Sequence, residues 1–274
     1  MMNTISLGQF YPANSPVHRL DPRMKTVIAV LYVVCTFLCK NVLSFALLLV
    51  SAVLLIIASR IPFGIIMRSI KPILIIIAIT SAINIFWTKG ERLLVDWWIF
   101  EIYLEGIYNA VMMVVRFLVL ITGTSLFLTY TTTPIALTDA IEDLLWPLKK
   151  IGVPVHDFAM MMTIALRFIP LLVDETDKIM TAQKARGADF SSGSLVNRAK
   201  ALIPVLIPLF VSAFRRAEEL AVAMECRCYH GGEGRTRMTV RRVRFSDIVA
   251  LLIFVLLAAA IIALNILNIG YSFS

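Results

Sequence analysis

Residues 24–59 form an almost uninterrupted apolar run, broken only at Lys40-Asn41. As one helix this run would extend about 54 Å at ~1.5 Å per residue, far beyond the ~30 Å hydrocarbon core of a bilayer. It must turn back at Lys40-Asn41, which yields two short membrane spans. Three more apolar segments follow, at about Ile70–Trp87, Ile107–Tyr130 and Ser246–Asn268. The sequence therefore predicts an all-α integral membrane protein with about five transmembrane helices. Its hydrophobic share of 59% exceeds the ~45–50% of soluble domains. The first 23 residues carry Pro12, Pro16 and Pro22 and have no apolar stretch of signal-peptide type, so the first span is expected to be retained.

The net charge of +8 is gathered at the ends of the apolar segments. Arg19, Arg23 and Lys25 precede the first span; Arg60, Arg68 and Lys71 lie between the second and third; Arg235, Arg237, Arg241, Arg242 and Arg244 precede the last. This pattern reads as the positive-inside bias and contact with anionic lipid rather than nucleic-acid binding. It places the N-terminus in the cytoplasm. The loop with Trp97, Trp98, Tyr103 and Tyr108 then lies outside, as part of an aromatic belt. Cys35 and Cys39 sit in an apolar run as small hydrophobes, and Cys226 and Cys228 lie on the side where disulfides are rare.

Three regions result: 1–130, the N-terminal segment with four spans; 131–245, cytoplasmic amphipathic helices; and 246–274, the last span. The middle region mixes apolar stretches with charge of both signs. Val155–Leu172 and Ala201–Phe214 are candidate extra spans, but Asp157, Arg167, Pro204 and Pro208 favour interfacial or protein-buried packing. Val173–Arg186 has helical amphipathic spacing, and Gly187 follows it as a C-terminal stop. A second helix is expected over about Val205–Arg227, ended by Gly231-Gly232.

Both helices close on an arginine: Ala185-Arg186-Gly187 in one, Cys226-Arg227-Cys228 in the other. By spacing alone, capping is the more economical reading, since a cation at a helix C-terminus gains ~0.3–1 kcal/mol from the macrodipole. The functional reading is a pair of arginine plugs offered to acidic grooves of a partner. Cys226, Cys228 and His230 do not have the usual spacing of a metal site. Gly231-Gly232-Glu233-Gly234-Arg235-Thr236 lacks the lysine and preceding strand of a phosphate loop and reads as a basic linker. Arg116 lies well inside the fourth span, where a charge is a functional candidate by default. It either orients the helix interior, pairing with Glu105 or a polar side chain, or meets cargo.

A resemblance weighs in favour of the plugs. Gln183-Lys184-Ala185-Arg186-Gly187 and Ala223-Met224-Glu225-Cys226-Arg227-Cys228-Tyr229 resemble the paired Ala-Arg-Gly-type motifs of the transmembrane T component (EcfT) of energy-coupling factor transporters. Leu166-Arg167-Phe168-Ile169-Pro170, Thr131-Thr132-Thr133-Pro134 and His18-Arg19-Leu20-Asp21-Pro22-Arg23 are similar to the same family, so the likeness covers nearly the whole chain. The second motif departs from it in having Cys226 and Cys228. The resemblance implies a multi-pass protein of the bacterial cell membrane that couples two ABC-type ATPase subunits to a substrate-binding S component for uptake of a vitamin or other micronutrient. Ala185, Arg186, Gly187, Cys226, Arg227 and Cys228 would dock the ATPases.

On that reading the chain is not an enzyme and holds no cofactor or metal; ATP and Mg are bound by the partner subunits. Small residues of the third span, Ala78, Ser81 and Ala82 beside Thr80, permit close helix approach. Methionine suits adaptable contacts. These residues, with Met160, Met161 and Met162, are the candidate S-component contact. The alternative function is a self-contained secondary transporter or channel, which requires ionisable residues near the bilayer midplane and often an inverted repeat.

Overall fold

The computed structural model describes residues 10–88, 93–97, 100–190, 194–231 and 243–267. Outside these lie most of the expected basic linker (Gly232, Glu233, Gly234, Arg235, Thr236) with Arg237, Arg241 and Arg242. Lys89, Glu91, Arg92 and Trp98 of the aromatic loop, and Asn268, also lie outside them. The elements in chain order are α1 (Pro22–Leu38), α2 (Val42–Ser59), α3 (Phe63–Trp87), β1 (Leu93–Trp97), β2 (Phe100–Tyr103), α4 (Leu104–Thr124), α5 (Pro134–Leu145), α6 (Val155–Ala185), α7 (Leu195–Glu225) and α8 (Phe245–Ile266). α4 runs into a π-helical turn, Ser125–Tyr130, and a 3-10 helix, Trp146–Ile151, follows α5. The described residues fall into two compact units, one holding 10–143 and 243–267, the other 144–231.

All five expected spans are helices, and among the described residues the fold is all-α apart from one short hairpin. There β1 and β2 pair antiparallel, with Asp96 opposite Glu101 and Trp97 opposite Phe100. Among the described residues six helical segments are long and apolar enough to cross a membrane: α2, α3, α4 with its π-turn, α6, α7 and α8. α1 has 17 residues, about 26 Å at ~1.5 Å per residue, and falls short of the core thickness.

α3 begins at Phe63, about two turns before the expected Ile70, so Arg68 and Lys71 belong to the helix rather than to a loop. Hydropathy registers only the core-depth part of a helix, whereas backbone hydrogen bonding continues to Pro62 at the N-cap. α6 and α7 are likewise single helices of 31 residues each, running through Pro170 and through Pro204 and Pro208. Val155–Leu172 and Val173–Arg186, read as separate segments, are thus one helix, and α7 starts at Leu195, ten residues before the expected Val205.

In the larger unit α4 packs against α1, α2 and α3, while α8 packs against α1 and α2. The core between them holds Ile28, Tyr32, Cys35, Phe45, Leu48, Phe127, Phe254 and Ile261. Tyr32, Phe127 and Phe254 meet edge to face, with ring centroids 5.5–6.5 Å apart, the geometry the ring quadrupoles favour. Two glycines on α4 allow the close approach. A Cβ on Gly123 would collide with the edge of the Tyr32 ring, and one on Gly106 would come within 3.0 Å of the Ile85 carbonyl of α3.

Arg116 serves this packing. Its Nη2 donates to the Cys39 carbonyl at 3.1 Å, and its guanidinium lies 5.2 Å from the Phe45 ring centre. It thus fastens α4 to the α1–α2 turn. Glu105 is eleven residues away on the same helix, about 16 Å of rise, too far for the pair considered from sequence.

At the opposite end of α1 a buried polar network joins segments distant in sequence. Asp21 caps α1, its carboxylate accepting from the Arg23 N–H at 2.9 Å, with Pro22 at the first helical position. The Asp247 carboxylate accepts from the Asp21 N–H at 2.9 Å and from the Arg244 N–H at 2.7 Å. Lys25 is 1% exposed; its Nζ donates to the carbonyls of Thr131 at 2.7 Å and His18 at 3.1 Å. Arg23 pairs with Asp143 at 2.6 Å. The His18-to-Arg23 and Thr131-to-Pro134 motifs therefore meet across Lys25.

Candidate functional site

The smaller unit contains both arginine-bearing helix ends. α6 and α7 pack against each other in opposite senses. Glu175 on α6 accepts from Arg216 on α7 at 3.2 Å, and Gln183 near the end of α6 donates to the Pro204 carbonyl at 3.5 Å. That carbonyl is open because Pro208, four residues on, has no N–H to offer it. The ion pair sits eleven residues before Arg186 on α6 and eleven before Arg227 on α7. Each arginine is thus about 16 Å beyond it along its own helix at ~1.5 Å per residue. Because the helices run in opposite senses, the two arginines stand at opposite ends of the pair.

The two helix ends are the same motif. After α6, the Gly187 N–H donates to the Lys184 carbonyl at 3.0 Å and the Ala188 N–H to the Gln183 carbonyl at 3.0 Å. After α7, the Cys228 N–H donates to the Glu225 carbonyl at 2.8 Å and the Tyr229 N–H to the Met224 carbonyl at 3.0 Å. These paired bonds define a Schellman termination. Its left-handed residue is Gly187 (φ +88°) in one case and Cys228 (φ +56°) in the other. The residue immediately before it, Arg186 or Arg227, is exposed in both.

The last carbonyls of each helix are therefore satisfied by backbone N–H groups. The guanidiniums are not required as caps and project free of the turn; no hydrogen bond or ion pair engages either side chain among the described residues. Each offers a planar fork of donors that fits a carboxylate bidentately. Ala185, Cys226 and Cys228 beside them are also exposed, and both thiols are free.

The Schellman geometry ends the second helix close to the expected Arg227, but through a different residue. The expected stop was Gly231-Gly232; the reversal falls at Cys228, three residues earlier, although Gly231 is also left-handed at φ +93°. The sequence did not signal this, because a cysteine carries no turn preference. Of the other candidate contacts, Ala78 and Ala82 are exposed and Thr80 and Ser81 half-buried on α3. On α6, Met161 and Met162 are exposed and Met160 is half-buried. α3 and α6 belong to different units.

Comparison with known proteins finds relatives over most of the chain. The cobalt transport protein family (CbiQ) matches residues 13–238. The energy-coupling factor transporter transmembrane protein EcfT of Acidaminococcus fermentans is 52% identical, over 94% of this chain and 97% of its own length. The chain belongs to the EcfT family. Members of the EcfT family from Ruminiclostridium cellulolyticum and Bacillus subtilis are 53% and 49% identical, over 90% and 86% of this chain and 91% and 89% of their own. As in that family's name, this is a multi-pass membrane protein. The matched region 13–238 includes both arginine tips and Lys25 with its His18 and Thr131 partners.

Proposed function

We propose that the chain is the coupling subunit of an energy-coupling factor transporter, with α6 and α7 as its two coupling helices. One ABC-type ATPase subunit docks on Arg186 and a second on Arg227. The transmembrane helices hold a substrate-binding S component, with Ala78, Ser81 and Ala82 of α3 and Met160–Met162 of α6 contributing to that contact. ATP and Mg belong to the partner subunits, and this chain supplies no catalytic group. Its N-terminus is cytoplasmic, and the cargo is a vitamin or other micronutrient bound by the S component.

The observation that carries this reading is the repeated tip: two identical terminations, each leaving an exposed arginine, at opposite ends of one antiparallel helix pair. A single ATPase site would need one such tip, and a channel would need none. Two ATPase subunits binding at equivalent grooves need two equivalent plugs set apart, and this pair provides them. The test is co-purification of the Arg186→Ala, Arg227→Ala double variant from membranes. It should insert normally and bring neither ATPase subunit with it. Recovery of both subunits with normal uptake would remove the docking role.

A further inference from the structure

The 3-10 helix Trp146–Ile151 holds its apolar side chains in the open. Ile151 is 81% exposed, Trp146 60% and Leu148 38%, and Val153 just beyond is 42% exposed. None of the residues of this helix is buried. The turn is instead closed by its own backbone: the Gly152 N–H donates to the Lys149 carbonyl at 3.1 Å and the Val153 N–H to the Leu148 carbonyl at 3.4 Å, with Gly152 at φ +86°. The segment is shaped before anything covers it.

In a 3-10 helix, residues three apart eclipse. Leu148 therefore lies in line with Ile151, Trp146 with Lys149, and Pro147 with Lys150. Between 146 and 153 the only charges are Lys149 and Lys150, both exposed and both positive. Lysine is depleted where proteins pack against proteins. At a bilayer surface the same set is favourable: the indole sits at headgroup depth, aliphatic side chains enter the acyl boundary, and lysine stems reach back to lipid phosphates.

The geometry points to an interfacial lipid anchor at Trp146–Ile151, in which Trp146, Leu148 and Ile151 enter the bilayer surface and Lys149 and Lys150 bind anionic headgroups. It pins the start of α6, the first of the two coupling helices, to the membrane surface. This anchor shares no residue with the arginine tips: Arg186 lies at the far end of α6, and Arg227 ends α7 on the side from which α6 starts, since the two helices run in opposite senses.

The test uses the full chain in nanodiscs, with Trp87, Trp97 and Trp98 replaced by phenylalanine so that Trp146 reports alone. Lipids brominated near the headgroup should quench most of its emission. Quenching should be stronger with phosphatidylglycerol than with phosphatidylcholine alone, and that difference should vanish in the Lys149→Glu, Lys150→Glu variant. If the tryptophan replacements prevent insertion, a spin label on Ile151→Cys, with Cys226 and Cys228 replaced by serine, gives the same answer by its access to oxygen rather than to a water-soluble nickel chelate. Quenching by aqueous acrylamide and not by brominated lipid would overturn the anchor. So would shielding from both quenchers that appears only on adding ATPase or S-component subunits, because a protein would then be the occupant. Lipid quenching indifferent to headgroup charge and to the lysine changes would overturn the anionic contact.

Discussion

Gly187 and Cys228 occupy the same position in two copies of one termination motif, each the left-handed residue that follows a helix-ending arginine. Only Gly187 adopts this conformation without strain. A non-glycine residue there costs about 1–2 kcal/mol, so the second tip holds its shape against its own residue type. The reversal sets where the preceding arginine points, and the conformation at 187 and 228 therefore governs what Arg186 and Arg227 can reach.

Substitutions at these two positions should act in opposite directions. Gly187→Val places a β-branched residue at φ +88° and should lower stability by about 1–3 kcal/mol. Cys228→Gly should relieve the second tip and raise stability by up to about 1 kcal/mol, less the entropy of the added glycine. Thermal unfolding of the detergent-solubilised chain measures both. ATPase co-purification should weaken for Gly187→Val and be kept for Cys228→Gly. Loss of co-purification in Cys228→Gly would mean that the thiol, and not the turn, is recognised.

Substitution at the arginines should be graded. Truncating one partner of a buried charge pair costs ~2–5 kcal/mol, or roughly one to four decades of affinity at ~1.4 kcal/mol per decade. Arg186→Ala or Arg227→Ala should each weaken ATPase binding on that scale. Their own thermal stability should change by no more than the ~0.3–1 kcal/mol of a lost dipole contact. Arg→Lys should recover part of the affinity, because charge returns without the bidentate fork. ATPase titration against the chain in nanodiscs checks the order wild type, lysine, alanine. Full recovery by lysine would mean that only charge is read.

The membrane helices were legible because long apolar runs admit few alternatives in a bilayer. The arginine tips were legible as residue pattern, and Gly187 as a stop. The full length of α6 and α7 was not, since apolar Val155–Leu172 and amphipathic Val173–Arg186 read as separate segments, and Pro204 and Pro208 each remove a helix hydrogen bond. At Pro204 the carbonyl freed by Pro208 is taken up by Gln183 of the neighbouring helix, a compensation that exists only after packing. Lys25 looked like one more positive-inside cation, and only the fold shows its ammonium between His18 and Thr131. The left-handed turn at Cys228 has no compositional trace at all.

The contact of Gly123 with Tyr32 fixes how closely α4 approaches α1. Gly123→Ala puts a methyl group where the ring lies, and Tyr32 is fully buried against Phe127 and Phe254. Overpacking of this kind costs about 1–3 kcal/mol. Adding Tyr32→Leu, which removes the ring, should recover part of that loss, so the two changes should be non-additive. Additive effects would show that the clash is relieved elsewhere.

His18 should make the fold weaker in mild acid. Its Nε2–H donates to the Tyr11 carbonyl at 2.9 Å, which leaves Nδ1 to accept from the Ser15 hydroxyl at 2.7 Å, an arrangement of the neutral ring. Burial holds its pKa below the ordinary 6.5; the Tyr11 carbonyl opposes this, and the neighbouring Lys25 charge adds to it. The unfolded chain therefore takes up the proton at higher pH than the folded one. The stability this group contributes is complete above about pH 6.5 and is lost as pH falls below that value through the lower folded pKa. The unfolding midpoint should fall between pH 7.5 and the acid side of the transition, and the fall should be smaller in His18→Gln, whose amide can meet the same two partners without titrating. An identical fall in both proteins would assign the acid sensitivity to another group.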